Sequence, residues 1–383
     1  MRSALWRNHK SIAIFLSIII ILWISAAGWY VYNIYNNIFT APSTPGGTTI
    51  SPSHSPDTGI SRPKETPSVT MKRPNFETGV VFPEWQPDGY SDDQWQTDLP
   101  QMKIQTGARW VEMPLLFEQP SVTSTAIVAG QKIPTIASFI SGIQVAHAQG
   151  FHVFVVPLVS PWSGLINFST PQDEEQWFTN YWNAYKPYIL AAAQNNVEQL
   201  AVGTEDDWLQ QNAPVSLWNT LITNIHSIFP GTLTYDMNWI QQVHPLPSWM
   251  KNPYLQVIGF SEYISLVSTP TRVDPQAMQA LWKKTVKPII DGVAQELDKP
   301  ILISEIGYRN SSDTLFQPYQ TTTNASTDPI EQAAACDAAL AETVADPNIA
   351  GIYFWGWENA ETFSLKGLPA VSTLRKWFTS PEA

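Results

Sequence analysis

Cysteine is nearly missing from this 383-residue chain, where Cys336 stands alone. An intrachain disulfide is excluded, so burial rather than oxidation must hold the fold together. Charge is scarce too, at 14% of residues, and it leans acidic, with a formal net charge of −12. Residues 1–73 hold seven Lys and Arg against Asp57 and Glu65, a local +5, so the remainder carries −17. A body of that sign repels nucleic acid and anionic polymers and leaves neutral substrates open. Dinucleotide binding lacks its glycine turn: the first apolar run is followed by Phe82-Pro83-Glu84-Trp85, with no GxGxxG. The six His (His9, His54, His147, His152, His226, His244) show neither HExxH nor any paired spacing. There is no GxSxG elbow. No metal, no cofactor and no nucleic-acid partner is therefore expected, and no internal repeat is evident.

What the chain has instead is apolar and aromatic mass. Hydrophobic residues make up 44% and aromatics 12%, with 17 Trp. A Trp-rich, charge-poor surface suits stacking on sugar rings, although many of these rings must simply fill the core. Three sequons, at Asn167, Asn310 and Asn324, matter only in a host that glycosylates.

The N-terminus reads as a membrane segment. Ile12 to Tyr32 contains no charged residue and ends in Trp29, Tyr30 and Tyr32, an interfacial aromatic belt. About 20 apolar residues span a bilayer core as a helix. Arg2, Arg7 and Lys10 precede the span and no charge follows until Asp57, which sets the N-terminus inside and the body outside. The other reading is a cleaved signal peptide, since Ser25-Ala26-Ala27 offers small residues at a suitable place. Both export the body, either held at the cell membrane by a single pass or released. Seven prolines among Ser, Thr and Gly over residues 40–74 cannot bury apolar surface and predict an extended linker. The chain thus divides into a cytoplasmic tip and transmembrane helix (1–35), a disordered linker (36–75) and one large domain (76–383).

Within that domain short apolar runs alternate with helical stretches. The runs are Gly79–Phe82, Trp110–Met113, His152–Val156, Gln199–Val202, Leu233–Asp236, Gln256–Phe260, Ile301–Ser304 and Gly351–Trp355. Ser91-Asp92-Asp93-Gln94 is a capping box opening the first helix. Residues 134–149 stop at Gly150, and 173–195 place Trp177, Tyr181 and Tyr185 at four-residue steps. Residues 215–229, 275–297 and 329–345 follow, while 244–252 offers at most a short helix. Eight β-then-α units in about 300 residues predict an α/β fold, a (β/α)8 TIM barrel. A doubly wound open sheet is the alternative.

TIM barrels keep their chemistry at the C-terminal strand ends. The fourth run ends Gly203-Thr204-Glu205-Asp206 and the seventh Ser304-Glu305-Ile306-Gly307. Glycoside hydrolysis needs two carboxyls flanking one bond, one protonated to donate to the leaving oxygen and one ionised to attack. The fourth and seventh strands face each other across a barrel mouth, so Glu205 and Glu305 are the candidate catalytic pair. A lone Glu after a strand is as readily a solvated loop residue, and the matching strand numbers carry the specificity. Asp206 and Asp207 either bias Glu205 toward its protonated form or point into solvent.

From Gly79 to Phe378 the body resembles glycoside hydrolase family 113, retaining β-mannanases of a large clan of barrel glycosidases. The resemblance rests on motifs in order: Thr123-Ser124-Thr125-Ala126-Ile127, Val202-Gly203-Thr204-Glu205, Leu233-Thr234-Tyr235, Asn238-Trp239, Ile258-Gly259-Phe260, Ser304-Glu305-Ile306-Gly307-Tyr308-Arg309, Tyr353-Phe354-Trp355 and Gly367-Leu368-Pro369-Ala370. It implies that Glu205 is the acid/base and Glu305 the nucleophile. It implies that Tyr263 hydrogen-bonds the nucleophile, that Trp355 floors the sugar at the cleavage point, and that Asn238 and Trp239 line the cleft. Trp85 is a further stacking candidate. The structural alternatives are core caps for Trp355 and Trp239, closure of the barrel top for Tyr263, and an ion-pair role for Arg309.

The chain departs from the clan at the mouth. Thr204 stands where other clan families carry Asn, Ser261-Glu262 where an Asp-Ala pair is expected, and Leu158 where a His is expected. These positions bear on sugar preference and leave the two carboxyls in place. The expected function is double-displacement hydrolysis of a mannan or glucomannan-type β-1,4-polysaccharide or oligosaccharide. A non-catalytic carbohydrate-binding barrel at the cell surface, and a β-glycosidase or transglycosylase of other specificity, are the rivals.

Overall fold

The computed structural model of the protein describes residues 75–160, 166–239 and 245–380. The Ile12–Tyr32 span and the linker through Pro74 lie outside the described residues. Among those described, no helix is long and apolar enough to cross a membrane.

Eight parallel strands close into one barrel in chain order, and this excludes the open-sheet alternative. They are β1 (Glu77–Val81), β2 (Trp110–Glu118), β3 (His152–Ser160), β4 (Gln199–Thr204), β5 (Thr232–Asn238), β6 (Ile258–Glu262), β7 (Ile301–Ile306) and β8 (Ile349–Trp355). Strand β8 pairs back onto β1 over Glu77↔Gly351 to Val81↔Trp355. The ring leaves no open edge, and its parallel strands are buried on both faces.

The helices begin where local chemistry says they should. Helix α1 (Asp93–Thr106) is capped by Asp92, whose carboxylate accepts from the Trp95 N–H at 2.8 Å. Helix α2 (Ile136–Ala148) is capped by Thr135, and the chain turns out of it at Gly150 with φ of 72°. Helix α3 (Pro171–Gln194) carries the four-step aromatic stripe, and the stripe faces inward. Trp177 stacks on Tyr181 at 4.9 Å, and the Tyr181 and Tyr185 hydroxyls donate to the Val202 and Ala201 carbonyls of β4. Each phenol thereby satisfies its own polar tip inside the core.

Helices α4 (Asp207–Asn212) and α5 (Val215–His226) follow β4. The α4 turn was not predicted. The span 275–297 is two helices, α6 (Pro275–Thr285) and α7 (Lys287–Leu297), rather than one. Pro288 has no N–H to continue the first and is well placed to open the second. Over 245–252, the described part of the predicted 244–252 stretch, there is only a 3-10 turn at Ser248–Lys251. Helices α8 (Pro329–Thr343) and α9 (Ala370–Phe378) complete the ring.

Two groups of tryptophans bear on the site. Trp95, Trp177, Trp218, Trp249, Trp282 and Trp357 are fully buried between helices and barrel. Removing such side chains from water contributes about 1.5–3 kcal/mol each. Trp85, Trp239 and Trp355 are only half-buried and sit after β1, after β5 and at the end of β8. All three are therefore at the mouth, where side chains remain available to a ligand.

Candidate active site

Register shifts between paired strands shape the mouth: as β7 pairs with β8 one spans Ile303 to Ile306, and so Glu305 itself, and two more lie on other strand pairs. One falls between Ala201 and Thr204 as β4 pairs with β5, just before Glu205. The other falls between Gly259 and Ser261 as β6 pairs with β7, just before Tyr263 and opposite Glu305. Such breaks in register re-aim side chains, as β-bulges do beside active sites. Glu205 itself adopts φ of 51°, a left-handed conformation rare for glutamate, and its N–H donates to the Asp236 carbonyl at 2.9 Å. Asn196, Asp298, Gln317, Asn359 and Glu361 are left-handed too, so it is the place of Glu205 at a strand end on the mouth that gives its strain functional meaning.

Glu305 stands on β7 and is half-buried. The Tyr263 hydroxyl donates to its Oε1 at 2.5 Å. Burial pushes the Glu305 carboxyl well above the usual range, and the charge of Glu205 pushes it further. The Tyr263 bond opposes that rise, while Asp236 adds to it. The same burial, with Glu305, Glu205 and Glu112 nearby, drives the Tyr263 phenol well above its ordinary value. Glu205 and Glu305 therefore confront each other electrostatically at the mouth.

Beneath them lie two more acids that sequence reasoning did not single out. Asp236 on β5 is 1% exposed, and burial raises its carboxyl to about 7. Glu112 on β2 is equally buried, and burial, then Glu305, then Asp236 raise it well above the usual range. So many carboxyls in one dry space cannot all ionise at neutral pH. One charged and one protonated acid across a cleft is the state that two-carboxyl chemistry uses.

Asp206 and Asp207 do not point into solvent, being 1% and 3% exposed. Asp206 turns toward Gly203 and, after burial, is the next cause that raises the Tyr181 and Tyr235 phenols, so it lies on the helix side of β4.

Aromatic rings flank the carboxyls on two sides. Trp85 and Trp355 lie 6.3 Å apart at 36°, and the Trp85 indole donates to the Asn359 carbonyl at 3.3 Å. The Trp355–Gly356 peptide is cis. Across the mouth Trp239 stacks on Tyr319 at 5.3 Å and 24°. Trp355, Trp239 and Tyr319 all pack against the buried group of Tyr263, Ala360 and Phe363. Asn238 ends β5, buried and in register with Ser261.

Tyr319 was missed in the sequence because it lies in the long connection between β7 and α8, with no periodic pattern around it. Arg309 organises that connection. Its buried guanidinium donates to the carbonyls of Gln317, Gln320, Asp313 and Phe316 and pairs with the Asp313 carboxylate at 3.2 Å. It is the ion-pair residue that the sequence suggested. No group of acids, His and Cys suited to a metal occurs among the described residues.

The family model for Glycoside Hydrolase Family 113 matches residues 84–367. No curated protein sequence matches the chain. Among solved structures, a family 113 β-1,4-mannanase in complex superposes with a TM-score of 0.70 at 22% identity, covering 80% of this chain and 99% of that one. The family 113 β-mannanase of Alicyclobacillus acidocaldarius gives 0.69 at 21% identity, with 80% and 98% covered. A family 5 mannosidase of Rhizomucor miehei gives 0.55 at 12%, with 80% and 93% covered. These likenesses establish the barrel, while the family match, running from the first mouth loop to the start of the last helix, establishes kinship. The chain belongs to glycoside hydrolase family 113 and is a glycoside hydrolase.

Proposed function

We propose that the protein is a retaining β-mannanase that cleaves β-1,4-linked mannan or glucomannan by double displacement, with Glu305 as nucleophile and Glu205 as acid/base. The observation that carries this reading is the Tyr263–Glu305 hydrogen bond facing Glu205 across the mouth. A phenol donating to one carboxyl holds it in place and favours its charged form. The confronting carboxyls disfavour two charges at once, so the pair shares a proton. Glu305 attacks the anomeric carbon while Glu205 gives its proton to the departing oxygen. A glycosyl ester forms on Glu305. Glu205 then takes a proton from water, which breaks the ester and releases sugar with its configuration retained.

Trp355 and Trp85 supply one stacking wall, and Trp239 with Asn238 the other. The names of the structural relatives, β-1,4-mannanase and β-mannanase, support the choice of sugar. The N-terminal 35 residues serve as a single-pass anchor and residues 36–75 as its linker, which sets the barrel outside the cell membrane. Carbonate-resistant sedimentation of the full chain with membranes tests the anchor. Solubility after carbonate would refute it.

The function itself is tested with the full chain and Glu305→Ala on β-1,4-mannan, glucomannan, cellulose and xylan. Reducing ends are expected from the first two and none from the variant. Folded wild-type protein that releases nothing while still binding mannan would favour the non-catalytic reading.

A further inference from the structure

Asp236 touches the settings of both catalytic candidates. Its main-chain carbonyl accepts the Glu205 N–H at 2.9 Å, at the point where Glu205 is held left-handed. Its side-chain Oδ1 accepts from the Ser304 hydroxyl at 2.5 Å and the Ser261 hydroxyl at 3.2 Å. Ser304 precedes Glu305 on β7, and Ser261 is the register partner of Glu305 on β6. One aspartate on β5 therefore reaches β4, β6 and β7 together.

The reach across β6 depends on a missing side chain. Strand β6 lies between β5 and β7, and its Gly259 pairs with Asp236. A Cβ on Gly259 would stand 2.7 Å from the Ser304 hydroxyl and 3.0 Å from the Asp236 Cα. Only glycine leaves the gap through which the Ser304 hydroxyl meets the Asp236 carboxyl. That gap, two hydroxyl donors and a fully buried acid amount to a built device. A buried carboxyl is costly unless its oxygens are satisfied.

We propose that Asp236 is a positioning residue for both catalytic carboxyls, seating Glu205 through its main chain and the Glu305 strand through its Ser304–Ser261 clamp. The proposal rests on Glu205 and Glu305 being the catalytic pair. Asp236 touches neither substrate nor reacting atoms and acts through the two glutamates. Its charge also enters. The titratable groups facing it are Glu205 from β4, Glu305 from β7 and Glu112 from β2, with Tyr235 beside it on β5. All are acids, so an ionised Asp236 opposes the ionisation of both glutamates, and the coupling is reciprocal.

The test uses the full chain with mannohexaose and reads kcat, KM and the pH profile of kcat/KM. Asp236→Ala strands two buried hydroxyls and loosens the frame. Its kcat should fall about 100-fold with KM little moved, the signature of misplacement rather than lost binding. Asp236→Asn keeps an acceptor and removes the charge. It should lose less than tenfold in kcat, and both pH limbs should move to lower pH. The alkaline limb should move more, because Asp236 carries its charge only above about pH 7. A purely structural residue would change the melting temperature without moving either limb.

A folded Asp236→Asn with both limbs at the wild-type pH would overturn the proposal. So would Ser304→Ala with wild-type kcat. Both variants remain informative if Asp236→Ala does not fold. Glu305→Ala, run alongside, separates the two levels. If it is inactive while the Asp236 variants behave as wild type, only the positioning role fails. If it stays active, the catalytic reading fails and the positioning role with it.

Discussion

Both ends of the barrel hold a glutamate bonded to a tyrosine, and only one of them is a candidate active site. At the bottom the Tyr353 hydroxyl donates to Glu77 Oε2 at 2.7 Å, with the Gln199 amide adding a bond at 3.3 Å. Burial raises Glu77 to about 7, against the two hydrogen bonds. At the mouth Tyr263 donates to Glu305, and burial raises that carboxyl too. A buried, perturbed carboxyl is therefore not by itself a sign of chemistry. Glu198 and half-buried Trp110 lie beside Tyr353 at the bottom as well, but there burial alone raises Glu77, whereas at the mouth the charge of a second carboxyl, Glu205, also raises Glu305. The bottom pair, at the N-terminal end where barrels invest in stability, closes the interior.

The contrast can be broken most sharply at Glu305. Glu305→Ala should cost on the order of 10⁴-fold or more in kcat, since no other group can form the ester. A smaller loss would erase the distinction between the two ends. Tyr263→Phe is gentler. Removing a hydrogen bond to a charged group costs about 1.5–3 kcal/mol, or roughly 10–100-fold in rate. The bond lowers the Glu305 pKa, so its loss raises that value and the acid limb of kcat/KM moves to higher pH. A limb that stays in place would mean the phenol does not tune the carboxyl.

Trp239→Ala should raise KM by about tenfold with little change in kcat, as expected for a stacking contact worth ~1.4 kcal/mol in ground and transition states alike. Equal KM values would return Trp239 to a packing role. At the bottom, Glu77→Gln should leave kcat at the wild-type value. Its effect is on stability. A carboxyl raised from 4.5 to about 7 in the fold contributes stability that is fully present below pH 4.5 and lost as pH rises through about 7. The wild type should thus lose Tm relative to the variant between pH 5 and pH 8, and a constant gap would refute the assignment.

The barrel was legible because its strands are buried on both faces and read as apolar runs. Their lengths were less so. The second and third runs were closed at Pro114 and Pro157, yet β2 and β3 continue side by side to Glu118 and Ser160. Over that stretch β1 pairs with β2 only as far as Glu112, and β4 with β3 only as far as Val155. Both prolines thus lie on edge-like strand, where a missing donor is tolerated. Glu205 and Glu305 were visible because each follows its strand directly. Asp236 was not, because its meaning depends on Ser304 two strands away, through a gap left by Gly259. Tyr319 was hidden for the same reason, since buried Arg309 rather than local pattern organises its loop.

The central claim, that Glu305 is the nucleophile, is tested most directly by trapping. The full chain would be treated with an activated 2-deoxy-2-fluoro-β-mannoside, digested, and the labelled peptide sequenced by mass spectrometry. A fluoromannosyl ester on Glu305 is the predicted result. An ester on Glu205, Asp236 or Glu112 instead would contradict the account.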